Sequence, residues 1–273
     1  MGKGRILFVN QSIAPFSEEN DMSVMGRMLP AKLQDMGREI RVFMPKLASV
    51  NERKHQLHEV IRLSGMNLIV NNCDRQLIIK VGSLPTARMQ VYFIDNEEYF
   101  MNRETLVDGK GRLASDSDEQ LLFFGRGVLE AVRKLAWQPH LVNFSGWFTS
   151  MIPFYMRRIN KENAFFSGTK LVITLTGDSF KGTIGGDLEH KMKNDNATAK
   201  DLRLYGDTTY TGLIKAAITY SHGVIVGSPD VNPELVAFAK ETKRNVLDFI
   251  PDKDEFYARI NKFYDTLIGK IDN

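Results

Sequence analysis

Arg5-Ile6-Leu7-Phe8-Val9 and Ile40-Arg41-Val42-Phe43-Met44 are two short apolar runs joined by the stretch Met22 to Met36. Runs this short and this apolar are what strands buried on both faces of a parallel sheet require. The stretch between them reads as a helix closed by Gly37, a residue suited to the left-handed turn after a helix. Pro30 falls inside it and predicts a kink or a break, because proline lacks an N–H and crowds the preceding turn. Pro45 stops the second run. Strand, helix and strand with short joins give a right-handed crossover and a parallel sheet.

Working outward, residues 57–94 change character. Glu59–Leu63, Met66–Val70, Gln76–Val81 and Met89–Ile94 are short β-rich runs broken by Gly, Asn or Pro, and predict a mixed or antiparallel insert at one side of the sheet. Residues 101–117, with Asp108-Gly109-Lys110-Gly111, read as a surface loop. The α/β rhythm then resumes. Asp116 to Ala136 carries Leu121, Phe124, Val128, Val132 and Leu135 at helical spacing. A strand at Leu141–Phe144, a helix around Phe148–Ile159 and a strand at Leu171–Thr176 follow. Residues 177–200 read as a long glycine-containing loop. Then come a helix at Thr208–Tyr220, a strand at Gly223–Val226, a helix around Pro233–Glu241 and a strand at Asn245–Phe249. A last helix, Asp252 to Ile271, has Phe256, Ile260, Phe263, Leu267 and Ile271 on one stripe. The expected fold is α/β: one Rossmann-like, doubly wound, mostly parallel sheet in a single domain, with a ligand crevice at the carboxyl ends of its strands.

The 273 residues suit one large domain or two small ones. Hydrophobic residues at 43% and charged residues at 25% exclude disordered, collagen-like and disulfide-stapled chains. No apolar stretch approaches the roughly 20 residues of a membrane span, and Met1 to Asn10 lacks the apolar core and cleavage site of a secretory leader. The lone Cys73 excludes an internal disulfide and a multi-cysteine zinc site. These features imply a cytoplasmic protein without membrane contact. A net charge of +3 is too mild to imply nucleic acid.

The general cofactor fingerprints are missing. No G-x-G-x-x-G follows the first strand, and no G-x-x-x-x-G-K-[ST] occurs. His58-Glu59 lacks a zincin's second histidine, and His55 with His58 read as solvated surface residues. Ser167-Gly168-Thr169-Lys170 fits S-x-x-K without its partner motifs. No metal and no cofactor is expected.

Several stretches together resemble the N-terminal half of bacterial glycogen synthase and plant starch synthase. They are Ile6-Leu7-Phe8-Val9, Ala14-Pro15-Phe16, Gly26, Leu29-Pro30, Val42 and Met44-Pro45. Phe93-Ile94-Asp95-Asn96-Glu97-Glu98-Tyr99-Phe100 is similar to the family's F-L-D-N-P-E-Y-F. Phe123-Phe124 through Glu130 resembles F-F-S-R-A-x-L-E. Trp137, Pro139, Val142 and Trp147 stand at the spacing of W-x-P-D-V-V-H-x-H-D-W-H, and Leu175 with Phe180-Lys181-Gly182 resembles V-H-N-x-x-Y-Q-G. Leu213-Ile214-Lys215-Ala216 and Ser228-Pro229 look like L-K-x-G and V-S-P. The resemblance implies one half of a GT-B glycosyltransferase, whose family reaction in glycogen biosynthesis moves glucose from ADP-glucose to an α-1,4-glucan. It divides the chain into residues 1–229, family-like, and 230–273, a C-terminal extension whose helix packs back on the domain.

Departures from the family pattern fall on its chemistry. The family's K-T-G-G loop, which holds donor phosphates, is replaced by Ser17-Glu18-Glu19-Asn20-Asp21. Carboxylates there repel a diphosphate. H-x-H-D-W-H is replaced by Asn143-Phe144-Ser145-Gly146-Trp147-Phe148, and the V-H-N histidine by Thr176, followed by Gly177-Asp178. Residues 230–273 are too few for a donor-binding second domain, and the shortness is read here as native. The expectation is a family member impaired or inactive alone, a pseudoenzyme that binds α-glucan or a partner. The alternative is an active glycosyltransferase with a rewired site, or one completed by a separate chain.

No catalytic residue is assigned. By family position, Asp95, Asn96, Asn143, Trp147, Thr176 and Asp178 are the candidate substrate-binding residues. Each has a plainer reading. Trp147 is a sugar-stacking platform or, the favoured reading, a half-buried core ring. Asp95-Asn96 hold acceptor hydroxyls or form a turn. Asp178 stands at a strand's carboxyl end, where function gathers, or caps a helix or turn. Lys215 matches a family lysine and reads better as helix surface. The partners expected are an α-glucan or a nucleotide-sugar, and a second copy or another chain.

Overall fold

A computed structural model describes residues 4–84, 87–162 and 164–269. Its strands are β1 (Arg5–Asn10), β2 (Glu39–Pro45), β3 (His58–Glu59), β4 (Met66–Val70), β5 (Cys73–Leu84), β6 (Met89–Asp95), β7 (Leu141–Ser145), β8 (Lys170–Leu175), β9 (Gly223–Val226) and β10 (Asn245–Leu247). They form one sheet in the order β10-β9-β8-β7-β1-β2-β6-β5-β3, with β4 paired to β5. From β10 to β6 every pairing is parallel. β5 runs antiparallel to β6, and both β3 and β4 antiparallel to β5. β6 therefore belongs to the main sheet rather than to the insert where its β-rich neighbours placed it. It follows β2 in register, Val42 beside Val91.

The two-residue period of β1 sorts the helices. Leu7 and Val9 face a core built with helices α3 (Ser117–Lys134), α4 (Ile152–Glu162) and α7 (Tyr210–Tyr220). Ile6 and Phe8 face the opposite core, built with α1 (Asp21–Asp35) and α9 (Lys253–Ile268). Alternate side chains point to opposite faces, so the four consecutive apolar residues Ile6 to Val9 supply both layers. The short α2 (Glu97–Phe100) and α8 (Pro233–Glu241) complete the connections.

Several expectations change. Pro30 lies within α1, which is one continuous element. Met25, Leu29 and Leu33 anchor it to the sheet on both sides of the proline. Instead of a strand over Glu59–Leu63, pairing ends at Glu59 and the chain turns, with Leu63 buried as an anchor. Residues 177–200 are not one loop. α5 (Leu188–Asn194) starts on Asp187, whose side chain accepts the His190 N–H. α6 (Ala199–Leu204) starts on a capping box between Thr198 and Asp201. Each cap satisfies an N–H that a helix's first turn leaves free.

The terminal helix packs back as expected. Phe256, Ile260 and Tyr264 of α9 are buried against the α1 face of the sheet. Phe263 and Leu267 press on Gly223, where an added Cβ would stand 2.8 and 2.9 Å from them. Asp254 pairs with Lys32 at 3.1 Å and Asp265 with Arg38 at 2.5 Å. Ile271, placed on the same stripe, lies outside the described residues. Among the described residues no helix is long and apolar enough to cross a membrane.

Candidate functional site

The chain leaves β1 toward β2 on one side of the sheet, while β7, β8, β9 and β10 step away on the other. The carboxyl ends of β1 and β7 therefore flank a topological switch point, where open α/β sheets bind ligands. A cleft of about 580 Å³ opens there. Its lining comes from Gln11 and Ser12 after β1, the turn before α1, residues 104–107, and the segments after β7, β8 and β9.

Trp147, Thr176 and Asp178 meet in this cleft. Asp178 is the hub. Its Oδ2 accepts the Trp147 main-chain N–H at 3.0 Å. Its Oδ1 accepts from the Thr176 hydroxyl at 2.9 Å and from the Tyr210 hydroxyl at 3.4 Å. Burial pushes the Asp178 carboxyl above the ordinary carboxylate range, and these three donors act against that shift. Asp178 is thus a cap, but for a helical turn on another strand. The next N–H, of Phe148, goes to Gln11 Oε1 at 3.0 Å. Gln11 comes so close that a Cβ at Gly146, where φ is +84°, would lie 2.5 Å from it. Only glycine fits the position.

The Trp147 ring is 1% exposed, edge-on to Phe148 and Phe180. It is a wall of the core and offers no open face for stacking. Asn143 lies in the sheet interior, where its amide pairs with Thr174 at 2.8 Å. Asp95 binds Lys80 at 2.9 Å, away from the cleft. Asn96 caps α2, accepting the N–H groups of Glu98 and Tyr99, and donates to the Gln76 carbonyl at 2.9 Å. The structure thus brings three of the six candidates together and employs the other three inside the fold. Lys215 is ion-paired with Glu234 on the helix surface.

Other cleft residues carried no motif. The carboxylates on the lining are Glu18, Asp21, Glu104, Asp178 and Asp230, and no lysine, arginine or histidine is among the described lining residues. Asp230 accepts a hydrogen bond from Ser228 and lies where a Gly177 side chain would be. Glu104 comes from a polar stretch whose sequence reads only as loop. At the turn before α1, Asn20 accepts the Ser23 N–H at 2.9 Å, and Ser23 accepts the Asn20 N–H at 3.0 Å. The positive end of the helix dipole is already capped by Asn20, with Asp21 in its first turn, which leaves it unsuited to a further anion.

A family model described as "Starch synthase catalytic domain" matches residues 5–247. A glycogen synthase of Chlorobium limicola is 28% identical over 98% of this chain and 58% of its own length. One of Chlorobaculum parvum is 31% identical over 94% of this chain and 52% of its own. The chain thus spans about half the length of these curated relatives. The fold is similar to the catalytic domain of starch synthase IV from Arabidopsis thaliana, solved bound to ADP and acarbose. The TM-score is 0.71 at 12% identity, over 91% of this chain and 52% of that one.

Proposed function

We propose that this chain, which belongs to the starch synthase catalytic domain family, holds an α-glucan in the cleft beside Asp178 and does not by itself transfer glucose from ADP-glucose. The observation that carries this reading is the charge of the cleft. Carboxylates line it and no cation among the described lining residues offsets them. A diphosphate brought there meets like charge at short range, which disfavours binding. A neutral sugar meets acceptors for its hydroxyl hydrogens from Glu18, Glu104 and Asp230. It also meets apolar surface from Met22, Leu47 and Leu106 for its C–H faces. Pockets that bind small molecules combine a few placed polar groups with apolar walls in this way, and about 580 Å³ is an ordinary size for one.

The positions that depart from the family pattern support the same reading. Thr176 stands where the family places a histidine, with Asp178 two residues on; Thr176 donates to Asp178, and Asp178 also accepts the Trp147 N–H. The free, exposed Cys73 suits a reducing compartment, and we place the protein in the cytoplasm.

Calorimetric titration with maltoheptaose and with ADP-glucose tests the proposal. Saturable heat with maltoheptaose and none with ADP-glucose is the expected result. Turnover of ADP-glucose on glycogen by the purified chain would overturn it.

A further inference from the structure

Beneath the cleft, β1, β7 and β8 present a row of polar side chains to α1: Asn10, Asn143, Ser145, Thr174 and Thr176. All are buried, Asn10 to 2% exposure. A parallel strand buried on both faces is ordinarily apolar along its length, so this row needs partners. Some are found within it. Ser145 Oγ donates to Asn10 Oδ1 at 2.9 Å. Asn143 Nδ2 donates to Thr174 Oγ1 at 2.8 Å. Thr176 donates out of the row, to Asp178.

Asn10 Nδ2 has no hydrogen-bond partner among the described protein atoms. Turning the amide over exchanges its two ends and strands the carbonyl oxygen instead. A buried amide end left in this state carries its full desolvation penalty, which a partner would relieve. Asn10 borders a small cavity of about 10 Å³, lined by the polar row on one side and by Met22, Met25, Gly26 and Leu29 of α1 on the other. Gly26 lines this cavity on the α1 side. A Cβ there would stand 3.5 Å from the Asn10 side chain and 2.7 Å from the Ser12 carbonyl oxygen.

We propose that this cavity is the binding site of one buried water molecule, which accepts from Asn10 Nδ2 and donates to the hydroxyl oxygens of the row. The size admits one water, and the wall supplies the two to four polar groups a buried water requires. A cation is excluded by the absence of a carboxylate on the described wall, and an apolar occupant by the polar row itself. The water joins the carboxyl ends of β1, β7 and β8. Through Thr176 it supports the bond that holds Asp178 in the cleft above. Asn10 is then a positioning residue for the cleft floor, one step removed from any ligand.

A crystal structure showing ordered solvent, together with water-to-amide NMR cross-relaxation at the Asn10 side chain, tests this in the native chain. The expected result is one solvent peak within hydrogen-bond distance of Asn10 and at least one hydroxyl of the row, with a matching cross-peak. Asn10→Leu, close in volume and without a polar end, should lose that solvent peak. A dry cavity in the native chain overturns the proposal, as does a solvent peak that persists unchanged in the folded variant. Should Asn10→Leu not fold, the native measurements decide alone.

Discussion

The carboxylate of Asp178, at the end of β8, accepts the main-chain N–H of Trp147, at the end of β7, at 3.0 Å. One side chain therefore ties two neighbouring strand ends across the mouth of the sheet, and two hydroxyls complete its set of donors. Asp178→Ala leaves those donors without an acceptor in a buried place. The expected loss is about 1–3 kcal/mol in urea unfolding. Asp178→Asn keeps one acceptor oxygen and should lose less. An unchanged midpoint for the alanine variant would show that the bond does not hold the floor of the cleft.

At the opposite, amino-terminal ends of the central strands, two histidines extend the parallel ladder. His140 Nδ1 accepts the Arg5 N–H at 2.9 Å, and His222 Nδ1 accepts the Leu171 N–H at 3.0 Å. Burial, with Arg5 beside His140 and Lys170 beside His222, lowers both below the ordinary histidine range. A histidine lowered in the folded state binds its proton more readily unfolded. Its contribution is complete above the ordinary value near 6.5 and is lost as pH falls from there through the lowered folded-state value. Urea midpoints should therefore drop between neutral pH and pH 5. His140→Asn with His222→Asn, which keep an acceptor that does not titrate, should flatten the profile. A native midpoint independent of pH over that range would refute the assignment.

Gly26 meets the Ser12 carbonyl oxygen so closely that an added Cβ would lie 2.7 Å away. Alanine favours a helix interior over glycine by about 1 kcal/mol. Overpacking against fixed backbone costs about 1–3 kcal/mol. The clash prevails, and Gly26→Ala should lower the unfolding free energy. A stabilised variant would mean that α1 can slide off the Ser12 turn.

Apolar burial holds α9 more than its ion pairs do. Ile260 is fully buried, so Ile260→Ala should cost about 2–5 kcal/mol. Asp265→Asn removes only the charge of a largely exposed partner and should cost about 0–1 kcal/mol. Chemical denaturation of the two variants ranks them. The reverse order would assign the docking of α9 to electrostatics.

The strands of the parallel sheet were legible because each is a short apolar run, and Gly223–Val226 and Pro233–Glu241 match their sequence bounds. α5 and α6 were hidden because their exposed faces are charged and only Leu188, Met192 and the caps mark them. At the site, Thr176 and Asp178 could be located because they follow a strand whose end can be counted. Glu104, Gln11 and Asp230 could not, since they reach the cleft from loops whose residues fit any surface turn.

Local chemistry is carried by neighbours in the chain. The apolar period of the strands, the caps of the helices and the carboxylate-rich turn Glu18-Glu19-Asn20-Asp21 are all readable along it. Which groups share a cavity depends on strands that are distant in sequence and adjacent in space. Only the pairing of β1 with β7 and of β7 with β8 brings Gln11, Trp147 and Asp178 together. The same packing turned the Trp147 ring inward, away from any ligand, and left Asn10 facing a cavity. The first outcome follows from packing against the α3, α4 and α7 face of the sheet and the second from the space left between the sheet and α1, neither of which a single segment of the chain specifies.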